Sequence, residues 1–147
     1  MMKSTSNNLA HLILFSEITT IDQLIRTQIS KSLPEGMAIS HLSVLNHLAS
    51  MKNEKTPMQL AKSFHVTKGA ITNTLSRLEN SGYIHIRPDW NDARRKQVTI
   101  SKTGIEAQRA AIDSITPVLT KVINKLGKEK ADSVLPIIRE LRHILSE

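Results

Sequence analysis

The sequence predicts a mainly α-helical domain that carries one small β-hairpin. Three observations support this prediction: long helical periodicity at both ends, shorter helical patterns in the middle, and two alternating segments separated by a polar loop. The chain has 147 residues, of which 39% are hydrophobic, and this is enough apolar material for one globular core. Residues 1–147 are therefore expected to form a single domain.

The composition excludes several classes of protein. The chain has no cysteine, so it cannot form a disulfide framework, a thiolate zinc site or a thiol redox switch. Its longest apolar run covers residues 12–15, far short of the roughly 20 residues that span a bilayer. The N-terminus is polar and lacks the apolar core of a signal peptide. We therefore expect a soluble, cytoplasmic protein with no membrane partner.

The first predicted helix is long and covers about residues 8–32. Its apolar residues recur at a spacing of three to four, with one wider gap: Leu9, Leu12, Ile13, Ile18, Ile21, Leu24, Ile25 and Ile29. The helix should end near Ser32, because Pro34 and Gly36 follow closely.

Three shorter helices are predicted in the middle of the chain. The first covers about residues 40–50 and carries apolar residues at Leu42, Val44, Leu45 and Leu48. The second begins with a capping box, in which Thr56 caps the helix, Pro57 fits its first turn and Gln59 bonds back. The third ends before Gly82, a residue suited to the left-handed conformation that often follows a helix.

The second and third of these helices form a helix-turn-helix pattern over residues 57–76. Thr67 is expected to cap the third helix, and Ala61 is expected at the close crossing of the pair. The residues predicted to face inward are Leu60, Phe64, Val66 and Ile71. Two residues depart from the usual pattern: His65 stands where glycine is common, and Thr74 stands where an apolar residue is common.

The third helix has an outward face without any acidic residue. Its members are Lys68, Gly69, Thr72, Asn73, Ser76 and Arg77. Short polar side chains can bond to base edges, cations can bond to phosphates, and the helix N-terminus at Thr67 can offer N–H groups to a phosphate. This face predicts contact with DNA, although an ordinary solvated helix surface is the alternative.

The alternating segments at residues 83–87 and 97–101 predict a hairpin. The loop between them, residues 88–96, is too long for a tight turn and should project a flexible tip. Its basic residues are Arg94, Arg95 and Lys96. A basic hairpin directly after a helix-turn-helix is typical of a winged helix, whose wing places an arginine near the minor groove. We expect Trp90, the only tryptophan, to pack at the wing base rather than to contact DNA.

The net charge of +7 is concentrated in the middle of the chain. Residues 1–50 have three basic and three acidic groups. Residues 51–103 have ten basic and four acidic groups, and residues 104–147 have seven basic and six acidic groups. The middle segment therefore carries a net charge of +6, which favours a polyanionic partner. On charge alone, a solvated basic face without a partner is an equal alternative.

Two long helices are predicted after the hairpin. The first has a packing seam at Ile112, Ile115, Leu119, Val122 and Leu126, and it ends at Gly127. The second carries Val134, Leu135, Ile138, Leu141 and Leu145. A helix over residues 102–126 would be roughly 37 Å long, so a compact domain of this size could hardly bury it with two further long helices. Pairing with a second chain is the favoured solution, and an intramolecular bundle is the alternative.

Several segments resemble the MarR/SlyA family of bacterial transcriptional regulators. They read LSRLENSGYI, DWNDAR and SKTG, at residues 75–84, 89–94 and 101–104. The wing pattern of that family, Asp-x-Arg-Asp-x-Arg, is matched at Asp89, Asp92 and Arg94, whereas Asn91 replaces the first arginine. Asn73 likewise stands where many members have arginine.

The resemblance implies a winged helix-turn-helix over about residues 36–103, with dimerisation helices at about 8–32 and 104–147. It also implies a homodimer that binds a pseudo-palindromic operator in double-stranded DNA, and a repressor that a small phenolic or aromatic effector releases. Two symmetric recognition helices would enter successive major grooves. The expected DNA-binding residues are Thr67, Lys68, Gly69, Thr72, Asn73, Ser76, Arg77, Asn91, Arg94, Arg95 and Lys96.

Other classes of function are less well supported. No Ser-His-Asp order and no glycine-rich phosphate loop occurs, so we expect neither an enzyme nor a cofactor. The histidines are His11, His41, His47, His65, His85 and His143, and no pair has the i, i+4 spacing of a helical metal site. Two alternatives stay open. One is a metal-responsive regulator with a site built from His11 and His41 or His47, and the other is a winged-helix protein-interaction module without DNA binding.

Overall fold

The computed structural model describes residues 2–51, 53 and 55–147, with side chains from residue 7 onward. Lys52 and Glu54, which contribute to the charge of the middle segment, lie outside the described residues. The elements in chain order are α1 (Met2–Ser32), α2 (Ile39–Ser50), α3 (Pro57–Ser63), α4 (Lys68–Asn80), β1 (Ile84–Pro88), β2 (Lys96–Ile100), α5 (Lys102–Leu126) and α6 (Lys128–Leu145). The predicted class, mainly α with a small hairpin, is confirmed.

The helix-turn-helix is built from the local signals that predicted it. The Thr56 hydroxyl accepts a hydrogen bond from the Gln59 amide at 3.1 Å, and the Gln59 side chain accepts one from the Thr56 amide at 2.9 Å. Thr67 caps α4 by accepting from the Ala70 amide at 3.1 Å. His65 adopts a φ of 52°, the left-handed conformation that its position in the turn requires.

The prediction for Val66 was wrong. Its amide donates to the Ala61 carbonyl within the turn, but its side chain is 43% exposed rather than facing inward. The main hydrophobic core instead contains Val44, Leu45, Leu48, Leu60, Ala61, Ile71, Leu75, Leu78, Ile84 and Val98, with Phe64 partly buried against it. The core therefore joins α2, α3, α4 and both strands.

The hairpin is antiparallel and pairs Ile84 with Ile100 and Pro88 with Lys96. Both strands are shifted by one residue from the predicted bounds, because the terminal positions have other roles. The Tyr83 amide bonds to the Leu78 carbonyl at the end of α4, after Gly82 with a φ of 76°. Ser101 caps α5 instead of continuing β2. A single bridge between Lys55 and Val98 adds a third, very short segment to the sheet.

The start of α5 is joined tightly to the turn between α4 and β1. The Ser101 hydroxyl donates to the Gly82 carbonyl at 2.6 Å and accepts from the Gly104 amide at 2.9 Å. The Ser101 amide also donates to the Tyr83 carbonyl at 2.9 Å. A Cβ atom at position 104 would lie 2.0 Å from the Tyr83 carbonyl oxygen, so only glycine allows this approach.

The terminal helices have little buried surface of their own. α1 begins at Met2, earlier than the predicted residue 8, because polar residues continue the helix before its first apolar ones. A small cluster of Leu33, Leu42 and Ala111 joins α1, α2 and α5. Many large apolar side chains on α1, α5 and α6 are exposed: Leu9, Leu12, Ile13, Leu14, Phe15, Ile21, Leu24, Ile25, Ile112, Leu119, Val122, Ile123, Leu126, Val134, Leu135, Ile137, Ile138, Ile144 and Leu145. In the part of the chain that the structure describes, none of the helices is both long and apolar enough to span a membrane.

Candidate nucleic-acid interface

The outward face of α4 is exposed along its whole length. The buried residues Ile71, Leu75 and Leu78 fix the opposite side of the helix against the core. All six predicted residues of the outward face are exposed: Lys68, Gly69, Thr72, Asn73, Ser76 and Arg77. Thr74 is buried, and its hydroxyl donates to the Ala70 carbonyl at 3.1 Å, so a polar residue is tolerated at this core position.

The polar groups on this face differ in what they can offer to a base. The Thr72 hydroxyl donates to the Lys68 carbonyl at 2.8 Å, which leaves its lone pairs and its methyl group for a partner. Asn73 and Ser76 make no side-chain hydrogen bond within the described structure. The Asn73 amide can therefore donate and accept at once, the pattern that matches the edge of adenine.

The N-terminus of α4 is arranged to meet a phosphate. The Ala70 amide donates a hydrogen bond to the Thr67 hydroxyl, whereas the Lys68 and Gly69 amides have no partner among the described residues. Both residues are exposed, and a Cβ atom at position 69 would meet nothing within 4 Å. The Lys68 ammonium and the helix dipole add positive potential at the same place.

The wing is ordered by Asp89, which the sequence indicated only as part of the family pattern. Its carboxylate accepts from the Asn91 amide at 2.8 Å and from the Gln97 side-chain amide at 2.6 Å. Its own amide donates to the Arg95 carbonyl at 3.0 Å and closes the loop. The Gln97 hydrogen bond is the main reason why the pKa of Asp89 lies below its usual value of 3.8, with the Asn91 amide next.

The expected cations of the wing lie at its exposed tip. Asp92 holds this tip by accepting from the Arg94 amide at 3.0 Å, while its carbonyl accepts from the Arg95 amide at 3.0 Å. The Arg95 guanidinium lies 3.8 Å from the Asp92 carboxylate, a weak exposed pair. Arg94 and Lys96 are exposed and form no ion pair within the described structure. The tip predicted to be flexible is thus closed by several hydrogen bonds.

The prediction that Trp90 packs at the wing base was wrong. Its side chain is 85% exposed, and the Arg87 guanidinium lies over the ring at 4.8 Å from the centroid. Because Arg87 belongs to β1, the indole lies against a side chain of the hairpin while most of its own surface stays exposed.

His41 lies on α2, which packs against α4. Its Nδ1 atom accepts a hydrogen bond from the Ala38 amide at 3.0 Å, at the start of α2. Burial, and then the charge of Arg77 on α4, lower the pKa of His41 below 6.5. No local pattern predicts this electrostatic effect, because only the packing of α2 and α4 brings the two residues near each other.

The other histidines give no support to a metal site. Among the described residues, no group of three or more histidine, aspartate or glutamate side chains could hold a metal ion. His47 instead makes an edge contact with Phe64, with 5.3 Å between the ring centroids.

The comparisons with known proteins agree with this geometry. Residues 35–95 match the model of the MarR family. An uncharacterized HTH-type transcriptional regulator of Bacillus cereus is 37% identical over 57 residues, which cover 39% of this chain and 37% of that protein. A regulator of the same description from Bacillus anthracis matches equally well. The chain thus matches only 37% of the length of these relatives.

Solved structures match over a much longer part of the chain. Mutant MarR from E. coli complexed with operator DNA has a TM-score of 0.78 at 20% identity, covering 87% of this chain and 92% of that one. The S. aureus MepR–DNA complex has a TM-score of 0.77 at 18% identity, and the match covers 87% of this chain and 95% of that one. The regulator PcaV from Streptomyces coelicolor, in complex with its natural ligand, has a TM-score of 0.75 at 17% identity. The match covers 86% of this chain and 89% of that one. The predicted resemblance and fold are confirmed. The two Bacillus proteins and PcaV are named as transcriptional regulators.

Proposed function

Because residues 35–95 carry a MarR-family region inside a MarR-type fold, we propose that the protein is a homodimeric regulator of transcription that binds specific sites in double-stranded DNA. One observation carries this proposal: an exposed, acid-free face on α4 lies in the same compact unit as a hairpin tip with exposed cations. The helix supplies groups for base edges in the major groove, and the wing supplies Arg94 for the neighbouring minor groove.

Selection from random duplex DNA, followed by salt titration, tests the DNA-binding part of the proposal. We expect one pseudo-palindromic sequence to be enriched. Its affinity should fall by on the order of a thousandfold between low and physiological salt, because several phosphate contacts release counterions. Binding that is absent at low salt, or that is independent of salt, would favour a protein-interaction module instead.

The exposed apolar faces of the terminal helices support the homodimer. α1 packs on α5, α5 packs on α6, and all three helices carry many exposed large apolar side chains. Exposed apolar residues in this number are typical of helices that form an interface with another chain. A second copy fits it best, since a two-fold pair would present two recognition helices to a palindromic site. Light scattering should give the mass of two protomers, and a single-protomer mass at micromolar concentration would contradict the proposal.

A cleft beside the recognition helix supports the proposed release of DNA by an effector. Its volume is about 230 Å³. The lining residues are Arg26, Ile39, Ser40, Ser43, Val44, Phe64, Val66, Ala70, Ile71 and Thr74, from α1, α2, α4 and the turn between α3 and α4. One cation, several hydroxyl groups and an apolar floor suit a small phenol or aromatic acid. A ligand that prefers a displaced α4 would shift the dimer away from its DNA-binding arrangement.

A panel of phenols and hydroxybenzoates, added to the protein–DNA complex, tests this part. We expect one or more members to lower the affinity for DNA and to relieve repression of a promoter that carries the selected site. Arg26→Ala should remove the response while leaving DNA affinity without ligand unchanged, because Arg26 lies on α1, outside the recognition helix and the wing. An unchanged response in this variant would contradict the assignment of the cleft.

A further inference from the structure

Trp90 stands out because a large apolar ring lies in an otherwise polar, charged loop. It is the only tryptophan and one of four aromatic residues of the Phe, Tyr and Trp types in the chain. Its 85% exposure is the highest among the large apolar side chains of the described residues. The contact with Arg87 covers little of the indole, so most of its apolar surface is available to a partner.

The position of Trp90 is fixed by its neighbours. The Asp89 carboxylate accepts from the Asn91 amide at 2.8 Å, so the residues on both sides of the indole are tied together. Asp89 is tied in turn to Gln97 on the opposite strand. A rigid aromatic side chain on such a turn loses little conformational entropy when it binds a partner.

The charges around the ring indicate the kind of partner. The Arg87 guanidinium lies 4.8 Å from the ring centroid and also donates to the Pro88 carbonyl at 2.9 Å. Arg94, Arg95 and Lys96 follow on the same tip. The partner surface should therefore combine anionic groups with apolar ones at close range. Phosphates and deoxyribose rings along the edge of a DNA groove have this combination.

We propose that Trp90 is a DNA-contact residue of the wing, whose indole packs against deoxyribose at the edge of the minor groove while the adjacent arginines meet phosphates. This inference rests on the proposed DNA-binding function and adds to it an apolar contact. The indole carries no charge, so its contribution should be independent of salt, unlike that of the cations.

The protein has a built-in reporter for the test, since all its tryptophan fluorescence comes from Trp90. The wild-type protein is titrated with the duplex selected from a random pool, and with a mixed-sequence duplex at low salt if selection enriches nothing. We expect a blue shift of the emission and protection from acrylamide quenching on binding. Trp90→Ala should weaken binding about tenfold, in line with the loss of one aromatic packing contact, while Trp90→Phe should restore most of the affinity.

The salt dependence separates the indole from its charged neighbours. Trp90→Ala should leave the slope of log affinity against log salt unchanged, whereas Arg94→Ala should reduce the size of the slope by about one per site. Circular dichroism should show the same melting temperature for Trp90→Ala as for the wild type, because the side chain is exposed.

The possible outcomes are distinct. If the duplex binds but the emission stays that of the unbound protein, or Trp90→Ala binds as tightly as the wild type, the inference is overturned and the proposed function stands. A slope reduced by Trp90→Ala as much as by Arg94→Ala would also overturn it, because the loss would then come from the charges. If no duplex binds to the wild type at low salt, the proposed function fails and the inference fails with it.

Discussion

The segment from α2 to β2 and the terminal helices α1, α5 and α6 are both rich in apolar residues but use them differently. In the first, Leu45, Leu60 and Val98 are completely buried, and the core closes within one chain. In the second, residues such as Leu24 and Val122 recur with the same regularity but are 62% and 56% exposed. Apolar periodicity therefore predicts which face of a helix is covered, but not whether the same chain covers it.

The largest effect should come from opening the closed core. Leu45→Ala should lower the free energy of unfolding by about 3 kcal/mol, through lost burial and a residual cavity. The control Leu24→Ala should change it by less than about 0.5 kcal/mol in protein diluted until it is monomeric. Urea denaturation measures both, and equal losses would show that the two regions do not differ as described.

The junction of the two regions gives the next largest effect. Gly104→Ala should destabilise the protein by about 2 kcal/mol, because the new Cβ atom collides with the Tyr83 carbonyl oxygen. Gly69→Ala is the matched control: it is helical, meets nothing within 4 Å and should raise stability by about 0.5–1 kcal/mol. Thermal unfolding of the two variants should shift in opposite directions, and a neutral Gly104→Ala would contradict the close approach.

Charges placed on the terminal helices should separate the two chains of the proposed dimer without unfolding the segment from α2 to β2. Leu24→Glu should raise the dimer dissociation constant at least tenfold, since a buried charge at an interface has no partner there. Gln23→Glu adds the same charge one residue earlier, at a polar position, and serves as the control. Sedimentation equilibrium measures both, and equal effects would place the interface elsewhere.

Removing cations from each region should affect DNA binding differently. Arg94→Ala at the wing should weaken binding about tenfold and reduce the salt slope by about one per site. Lys125→Ala, in the last turn of α5, removes the same charge from the other region and should leave both quantities nearly unchanged. A loss of the same size from Lys125→Ala would mean that overall charge, rather than the wing, determines the affinity.

The smallest effect should be a dependence of stability on pH through His41. Burial and Arg77 lower its pKa in the folded state, so the unfolded chain takes up the proton first as the pH falls. The contribution of His41 to the free energy of unfolding is complete above about pH 6.5. It is lost as the pH falls from there toward the lower pKa of His41 in the folded state. His41→Gln should flatten this part of the stability curve. Identical curves for His41→Gln and the wild type would contradict the assignment.

Local signals in the sequence predicted most of the fold, and long-range contacts account for what they missed. The caps at Thr56 and Thr67 and the turn at Gly82 act within a few residues, and each was confirmed. Val66 looked like a core residue, but the tight turn directs it outward. The need for glycine at position 104 arises from a carbonyl 21 residues earlier, so no local pattern could reveal it.

The candidate site was predicted less completely than the fold. The exposure of the α4 face followed from its spacing and was confirmed, although direct contact of its residues with DNA stays a prediction. Asp89 was noted only as a family match, because its pairing with Gln97 depends on the strand register. The exposure of Trp90 was missed, since the sequence does not show on which side of the wing loop the indole lies.

The contacts of Ser101 and Gly104 couple the long helix α5 to the hairpin. Two hydrogen bonds from Ser101 and the close approach of Gly104 to Tyr83 tie the start of α5 to the turn before β1, so we expect the two elements to tilt together. A five-residue strand is about 17 Å long, and a tilt of about 10° would swing its far end by about 3 Å. In the proposed dimer, a rearrangement at the interface would thus be magnified at the far end of the hairpin, without a hinge inside the winged helix.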